Sequence, residues 1–585
     1  MKKQLKALLR KLIPRPEVSG KGLNDPSCER TDASYGVCYL EHNIPTHLPA
    51  KSVYPARVIL ENTGQMTWRS APADGCVVAL NIRYGANIVA TLMLPCTEVR
   101  PCERVTVRFA LNAPSVPGAV TIHMEMVEFN VTLFGDRGVA PLTLDMMIDP
   151  PLEDPHDEAW DIALRRNPWH FQPTRGISRG AEGRHYPILA HRAKGCRLWD
   201  LAGHEYIDFI MGWGSTLLGY ADDRVQRAII EAVELTAPVI PYPHPFELEV
   251  TEMLCEDFPS AEMAIFGKNG SDVCTLAARI ARVLTGRKTI LYSGYHGWQD
   301  FWIEQMGFGR TGVPDRPVPL IRRFKFNDRA DFSRLYEQYK HDLAAVMLEP
   351  SGPLGSDEIG FEADANRDFL QYIAAATRDA GAFLVFDEII TGYRYPHGSV
   401  QKATDVVPDM TCLGKALASG MPLSALVGRS NILLEGMPKT RYAPTFKGEI
   451  YSFAAARAAI KVYRSEPVAE YVWNYGLRLK QGINELCCQN GVSAVCTGTP
   501  FRMMLVFQDA NHERLALKKT LYYQELLVRG LCTYNGIMLP SYAHDEDVLQ
   551  RTLSIVGEAL ESVAQAERKN DFDSRLEIPP LSDII

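Results

Sequence analysis

Between Met263 and Ile389, short apolar runs and helix-period segments take turns. "MAIFG" (263–267) leads into "SDVCTLAARIARVLTG" (271–286), "AAVMLEP" (344–350) leads into "NRDFLQYIAAATRDAG" (366–381), and "AFLVFDEI" (382–389) follows at once. Strand, helix and strand joined by short connections leave few folds open. Each helix must cross back over the sheet, so the strands run mostly parallel and both faces are covered. Ligands of such sheets gather beyond the carboxyl ends of the strands.

The chain has 585 residues, enough for two to four domains. From Tyr35 to Ile148 the texture is different. Runs rich in Val, Thr, Ile and Leu (Ser52–Leu60, Cys76–Ile82, Val105–Leu111, Val120–Val127) are separated by turn signals at Asn62-Thr63-Gly64, Tyr84-Gly85 and Pro114 to Gly118. This predicts an all-β sandwich over 35–150. Prolines at 150, 151 and 155 mark a linker over 151–159. An α/β domain then occupies 160–570, closing with the amphipathic helix of "DEDVLQRTLSIVGEALESVAQAE", and 571–585 reads as an irregular tail.

Residues 1–34 open with Leu5, Leu8, Leu9 and Leu12 at helical spacing among Lys2, Lys3, Lys6, Arg10 and Lys11. A basic amphipathic segment of this kind is either a frayed terminus or a weak membrane-surface contact. No apolar run approaches the ~20 residues a bilayer requires. Lys and Arg number 62 against 70 Asp and Glu, so no basic footprint for nucleic acid is present. The 13 cysteines form no C-x-x-C pair, which argues for reduced thiols in a cytoplasmic chain and against a zinc ribbon.

Four features carry chemistry. Asp387 ends the buried run "FLVF", where an acid is a site candidate and otherwise a helix cap. Lys415 follows Gly414 between an apolar run and a Gly/Pro turn. A lysine that forms a Schiff base, with an upstream Asp to hold a ring nitrogen, is what pyridoxal phosphate needs. Gly270 and Ser271 open a long helix after a strand, the place for a phosphate. Tyr295 and His296 sit between Gly294 and Gly297, on a loop where an aromatic ring can stack on a planar cofactor.

Taken as a set, "GSD", "GYHGW", "LEP", "FDEIITGYR", "PDMTCLGK", "GMPLSALVGR" and "TFKGE" resemble the class III, fold-type I pyridoxal-phosphate aminotransferases, closest to the glutamate-1-semialdehyde aminomutase-like group. The resemblance covers Asn167 to Ala566. It implies a large parallel-sheet domain with a smaller α+β domain and pyridoxal 5'-phosphate as cofactor. In that frame Lys415 forms the Schiff base, Asp387 pairs with the ring nitrogen, and Ile389 and Tyr295 cover the ring faces. Gly270 and Ser271 bind the phosphate, and Glu349 lies near the ring hydroxyl. Thr445 would reach the phosphate of a neighbouring subunit, which implies a homodimer with shared active sites. Arg179 (with Arg175 competing), Trp213 and Glu449 are the substrate candidates. "VILENTGQMTW" and "PGAVTIHMEMVE" resemble immunoglobulin-like sandwiches attached to some glycan-handling proteins and autophagy receptors.

The sequence departs from the aminomutases where they carry a late glutamate: no acid occupies Asn535 to Pro540, although Ser541, Ala543 and His544 keep the flanking frame. The reading is therefore an aminotransferase that moves nitrogen from an amino-acid donor to an aldehyde or ketone acceptor, in surface-glycan or specialised metabolite biosynthesis. An intramolecular aminomutase is the alternative, and a non-catalytic glycan-binding scaffold a more distant one.

Overall fold

The computed structural model describes residues 34–50, 53–70, 77–149 apart from 86, 97 and 129–131, 190–303, 312–313, 320–351, and 366–576 apart from 535. The basic segment before residue 34, the 151–159 linker, Arg175, Arg179 and the tail beyond Leu576 lie outside them. The described residues fall into two compact units: 34–149 with 190–191 and 199–204, and 192–198 with 205–576.

The first unit is built of strands. Val37–His42, Val53–Asn62 and Arg104–Asn112 form one sheet. His47–Pro49, Leu142–Asp149, Gly118–Glu128, Val78–Tyr84 and Asn87–Met93 follow one another across a second. Alternation along the strands sends Val58 and Leu60 from the first sheet, and Ile122, Met124 and Met126 from the second, into one core. Trp68 is fully buried there, its ring edge-on to Phe134 at 6.3 Å. Asn87–Met93 is a strand the sequence pattern did not announce. It pairs with Val78–Tyr84 through the tight turn at Gly85.

The second unit holds a seven-stranded sheet: β1 (Met263–Gly267), β2 (Thr289–Ser293), β3 (Ile321–Arg323), β4 (Leu343–Leu348), β5 (Phe383–Asp387), β6 (Met410–Leu413) and β7 (Ser424–Gly428). Their order is β1-β7-β6-β5-β4-β2-β3. Only β7 runs against its neighbours, β1 and β6. All the others end at the same edge. Helix α1 (Gly270–Thr285) packs Val273, Leu276, Ala277, Ile280 and Ala281 against the sheet at helical spacing. The Asp272 carboxylate closes its start by accepting from the Asn269 N–H at 2.9 Å.

A smaller layer packs the helices Val468–Asn490, His512–Val528 and Glu546–Lys569 on the antiparallel strands Ala494–Thr499, Arg502–Phe507 and Ile537–Met538. Residues 571–576 are not irregular as expected. Phe572–Arg575 form a short helix because Phe572 is buried in this second core and Arg575 pairs with Asp571 at 2.8 Å. No helix among the described residues is long and apolar enough to cross a membrane.

Candidate active site

Five parallel strands release the chain at one edge of the large sheet, and the residues immediately beyond them form one cluster. After β1 comes Gly270, after β2 Tyr295 and His296, after β4 Glu349, at the end of β5 Asp387 with Ile389, and after β6 Lys415. Residues separated by up to 145 positions thus meet because the strands point the same way.

Asp387 is buried and held on both carboxylate oxygens. Oδ1 accepts from the Ile389 N–H at 3.1 Å and Oδ2 from His296 Nδ1 at 2.7 Å. The Cys274 thiol reaches the same Oδ2 at 3.5 Å, and burial raises that thiol well above its ordinary value. His296 is itself buried, edge-on to Trp302 at 5.1 Å and Tyr292 at 5.8 Å. The sequence singled out the Tyr295-His296 pair but gave the histidine no role. Its place beside Tyr295 on a glycine-bounded loop was the signal, and only the fold shows that it holds Asp387.

Ile389 sits between Gly270 and Gly414. A Cβ on Gly270 would stand 2.5 Å from Ile389 Cδ1, and one on Gly414 3.4 Å from Ile389 Cγ2. Glycine at 270 is what lets α1 start against this side chain. Gly297, at φ +134°, lies so close to Ser271 that a Cβ would come within 2.4 Å of the serine Cβ. The Tyr295 loop is thereby pressed onto the first turn of α1, leaving Tyr295 40% exposed.

Lys415 occupies a left-handed conformation at φ 46°, a strained position for a side-chain-bearing residue. Burial brings its amine down from 10.5 to about 8, helped by the positive charges of Arg502 and Arg394 and opposed by Glu349 and Asp387. Arg502 heads the strand Arg502–Phe507, is buried, and donates to Glu349 Oε2 at 3.5 Å. Burial pushes the Glu349 carboxyl up, against the pull of Arg502. Arg394 is buried too, donating to the carbonyls of Gly214 and Ile390, and burial lowers it to about 10.

Arg502 went unnoticed in the sequence, which looked for its substrate arginine at Arg175 and Arg179. A single charge opening the otherwise apolar "RMMLVF" was the available signal. Trp213 stands 42% exposed on the segment before the large sheet, its ring 4.5 Å from that of Tyr534. Glu449 is engaged elsewhere. It caps the helix Ile450–Ser465 through the Tyr451 N–H at 2.7 Å and pairs with Lys268 at 2.8 Å. Thr445 lies exposed on the turn before that helix and makes no hydrogen bond to the cluster.

A buried lysine with a lowered amine, an anchored acid at the neighbouring strand end, and a glycine-started helix define a cofactor-dependent group-transfer site. Residues 179–536 match the aminotransferase class-III family, and the chain belongs to that family. It is 28% identical over 408 residues to the 3-aminobutyryl-CoA aminotransferase of Cloacimonas acidaminovorans, covering 69% of this chain and 93% of that protein. It is 32% identical over 396 residues to the glutamate-1-semialdehyde 2,1-aminomutase of Desulforudis audaxviator, covering 64% and 90%. Among solved structures, the β-phenylalanine aminotransferase of Variovorax paradoxus has the same fold at TM-score 0.60 and 24% identity, covering 70% of this chain and 94% of that one.

The cofactor is pyridoxal 5'-phosphate, and the residues present fit it. Gly270 lets α1 start against Ile389, where a Cβ would stand 2.5 Å from Ile389 Cδ1, and Lys415 supplies an amine lowered to about 8.

Proposed function

We propose that this chain is an aminotransferase that takes nitrogen from an amino-acid donor and delivers it to a separate aldehyde or ketone. The observation that carries this reading is Arg502: a buried guanidinium whose charge reaches Lys415 and which, among the described residues, is held by one long side-chain contact, to Glu349. A cation so placed suits the carboxylate of an amino acid, which would displace Glu349 as its partner. Arg502 is proposed for the role the sequence gave to Arg179.

The bound cofactor supplies a ring that absorbs the electron pair left when a proton leaves the nitrogen-bearing carbon. The chain does the rest. Lys415, near 8, accepts a proton at neutral pH and returns it. His296 and the Ile389 N–H hold Asp387 in place to keep the ring nitrogen protonated. The N–H groups of Gly270 and Ser271, at the start of α1, hold the phosphate. Ile389 and Tyr295 would cover the two ring faces and keep water from them, and Glu349 would lie near the ring hydroxyl.

Thr445, exposed as it is, completes the phosphate site of a second copy, making the enzyme a homodimer. The same proposal sets the reaction in the cytoplasm, in surface-glycan or specialised metabolism, on the likeness of the sandwich to immunoglobulin-like modules of glycan-handling proteins. The likeness to aminomutases favours a second reading, in which nitrogen moves within one molecule. That reaction must grip its intermediate at both ends, and no acid stands at 535–540 to do so.

Isotope tracing separates the two readings. With 15N-glutamate and a panel of unlabelled aldehydes and ketones, label should appear on the acceptor while free keto acid accumulates. Label that stays in the molecule that brought it, with no keto acid formed, replaces the transaminase by the aminomutase.

A further inference from the structure

Four consecutive residues beside the site are left-handed: Met211 (φ 48°), Gly212 (φ 56°), Trp213 (φ 61°) and Gly214 (φ 75°). Glycine adopts this conformation freely, but Met211 and Trp213 do so at a cost that something must offset. The offset is visible. Asp208, fully buried, accepts from the N–H groups of Ile210 at 3.0 Å and Met211 at 2.8 Å. The Tyr220 hydroxyl donates to Asp208 Oδ2 at 2.7 Å and accepts from the Gly212 N–H at 2.8 Å. Ser215 Oγ closes the turn by donating to the Gly212 carbonyl at 2.7 Å.

The turn separates two side chains. Met211 goes into the core of the smaller layer, 1% exposed. Trp213 is turned out against Tyr534, the two rings 4.5 Å apart and edge-on. The same turn lies against the Lys415–Ala418 turn, and its Gly214 carbonyl accepts from Arg394. A strained backbone that turns out a large indole gains nothing for the core. It serves a surface that must be apolar at that point.

We propose that Asp208 and Tyr220 are positioning residues that hold the left-handed turn, so that Trp213 and Tyr534 form one aromatic wall of the substrate site. With Arg502 as the charged counterpart, that wall selects carboxylates carrying a planar apolar substituent. The substrate class rests on the transaminase reading; the role of the two positioning residues does not.

The test uses full-length holoenzyme and 3-phenylpropionate, a carboxylate that lacks a reactive nitrogen or carbonyl, with propionate as the control. The wild type should bind 3-phenylpropionate about tenfold or more tighter than propionate, on the scale of one aromatic contact. Tyr220→Phe and Trp213→Ala should each abolish most of that preference, the loss falling mainly on 3-phenylpropionate. The double variant should lose no more than either alone. In protein carrying 5-fluorotryptophan at its eight tryptophans, the 19F resonance assigned to Trp213 through Trp213→Phe should shift or broaden in Tyr220→Phe while the other seven stay. Ser215→Ala, which removes one bond and no ring, should move the same resonance less.

An unmoved Trp213 resonance in Tyr220→Phe and Ser215→Ala overturns the positioning role. Equal affinity for the two acids in the wild type overturns the aromatic wall. Neither measurement needs turnover, so a failure of nitrogen transfer in the tracing experiment leaves both outcomes readable.

Discussion

The amine of Lys415 gives the sharpest quantitative expectation. Its ordinary value of 10.5 is brought to about 8 by burial first and by Arg502 next. A shift of this size is about 3 kcal/mol in favour of the neutral amine, at 1.36 kcal/mol per unit. At pH 7.5 roughly a quarter of the lysine is neutral, against about one part in a thousand for an exposed lysine. Only the neutral amine attacks a carbonyl, so apoprotein should recapture pyridoxal phosphate on the order of a hundredfold faster than an unperturbed lysine would allow.

The assay is the rate of return of the protein-bound cofactor absorbance, followed from pH 6 to 10.5, with borohydride reduction and peptide mapping to place the label on Lys415. The rate should rise with pH and level off near 8. Arg502→Met removes a neighbouring positive charge and should move that midpoint up by about half a unit to one unit, and Glu349→Gln should move it down. The sign also appears in stability. The unfolded chain binds more protons than the native apoprotein between 8 and 10.5, so apoprotein stability should rise with pH across that window. A wild-type rate still climbing tenfold per pH unit at pH 9, or a midpoint indifferent to Arg502, would refute the reasoning.

Gly270→Ala should lower pyridoxal-phosphate affinity roughly tenfold, because its Cβ would come within 2.5 Å of Ile389 Cδ1 and displace the side chain proposed to face the ring; equilibrium titration of apoprotein checks this. His544, whose Nδ1 accepts from the Ser541 N–H at 3.0 Å, is pushed by burial from 6.5 to about 3. Below pH 6.5 the unfolded chain takes up a proton that the native one refuses until about 3, so stability should fall over that window by up to about 5 kcal/mol. His544→Asn should flatten this part of a denaturation-against-pH curve. Mixing inactive Lys415→Ala protein with an inactive Thr445→Ala variant should restore part of the activity if sites are shared, whereas an active species sedimenting as a monomer would remove Thr445 from the site.

What could be read from the sequence was what chemistry ties to a local pattern. Asp387 was visible because ligands of parallel sheets gather at the carboxyl ends of strands, and Lys415 because an acid of that kind stands upstream of it. Gly270 was visible because a glycine between strand and helix marks a close approach. Arg502 was not, since it lies 153 positions from the Glu349 it meets and sits in a strand that otherwise reads as core. His296 stood in plain view, yet its partner Asp387 is 91 residues away. Glu449 was weighed as a substrate contact only through the family resemblance around "TFKGE". Capping the next helix is an equally good reason for an acid there, and the structure shows it doing so. In the sandwich, alternation gave the long buried strands but missed Asn87–Met93, whose exposed edge position imposes no strict pattern.

The large sheet divides labour along the chain in a way that bears on how such an enzyme diversifies. Everything proposed to hold the cofactor, Thr445 apart, issues from the strand ends between residues 267 and 415. The side chains proposed to face the substrate come from elsewhere: Trp213 from a turn ahead of the sheet, Arg502 and Tyr534 from the smaller layer behind it. Substitutions in the 208–220 turn or the 494–538 strands, Arg502 apart because its charge lowers the Lys415 amine, can therefore change which molecule is accepted while leaving the strand-end residues in place. Exchanging those two segments between relatives is the economical route to new specificity, and the sheet edge is the part to leave alone.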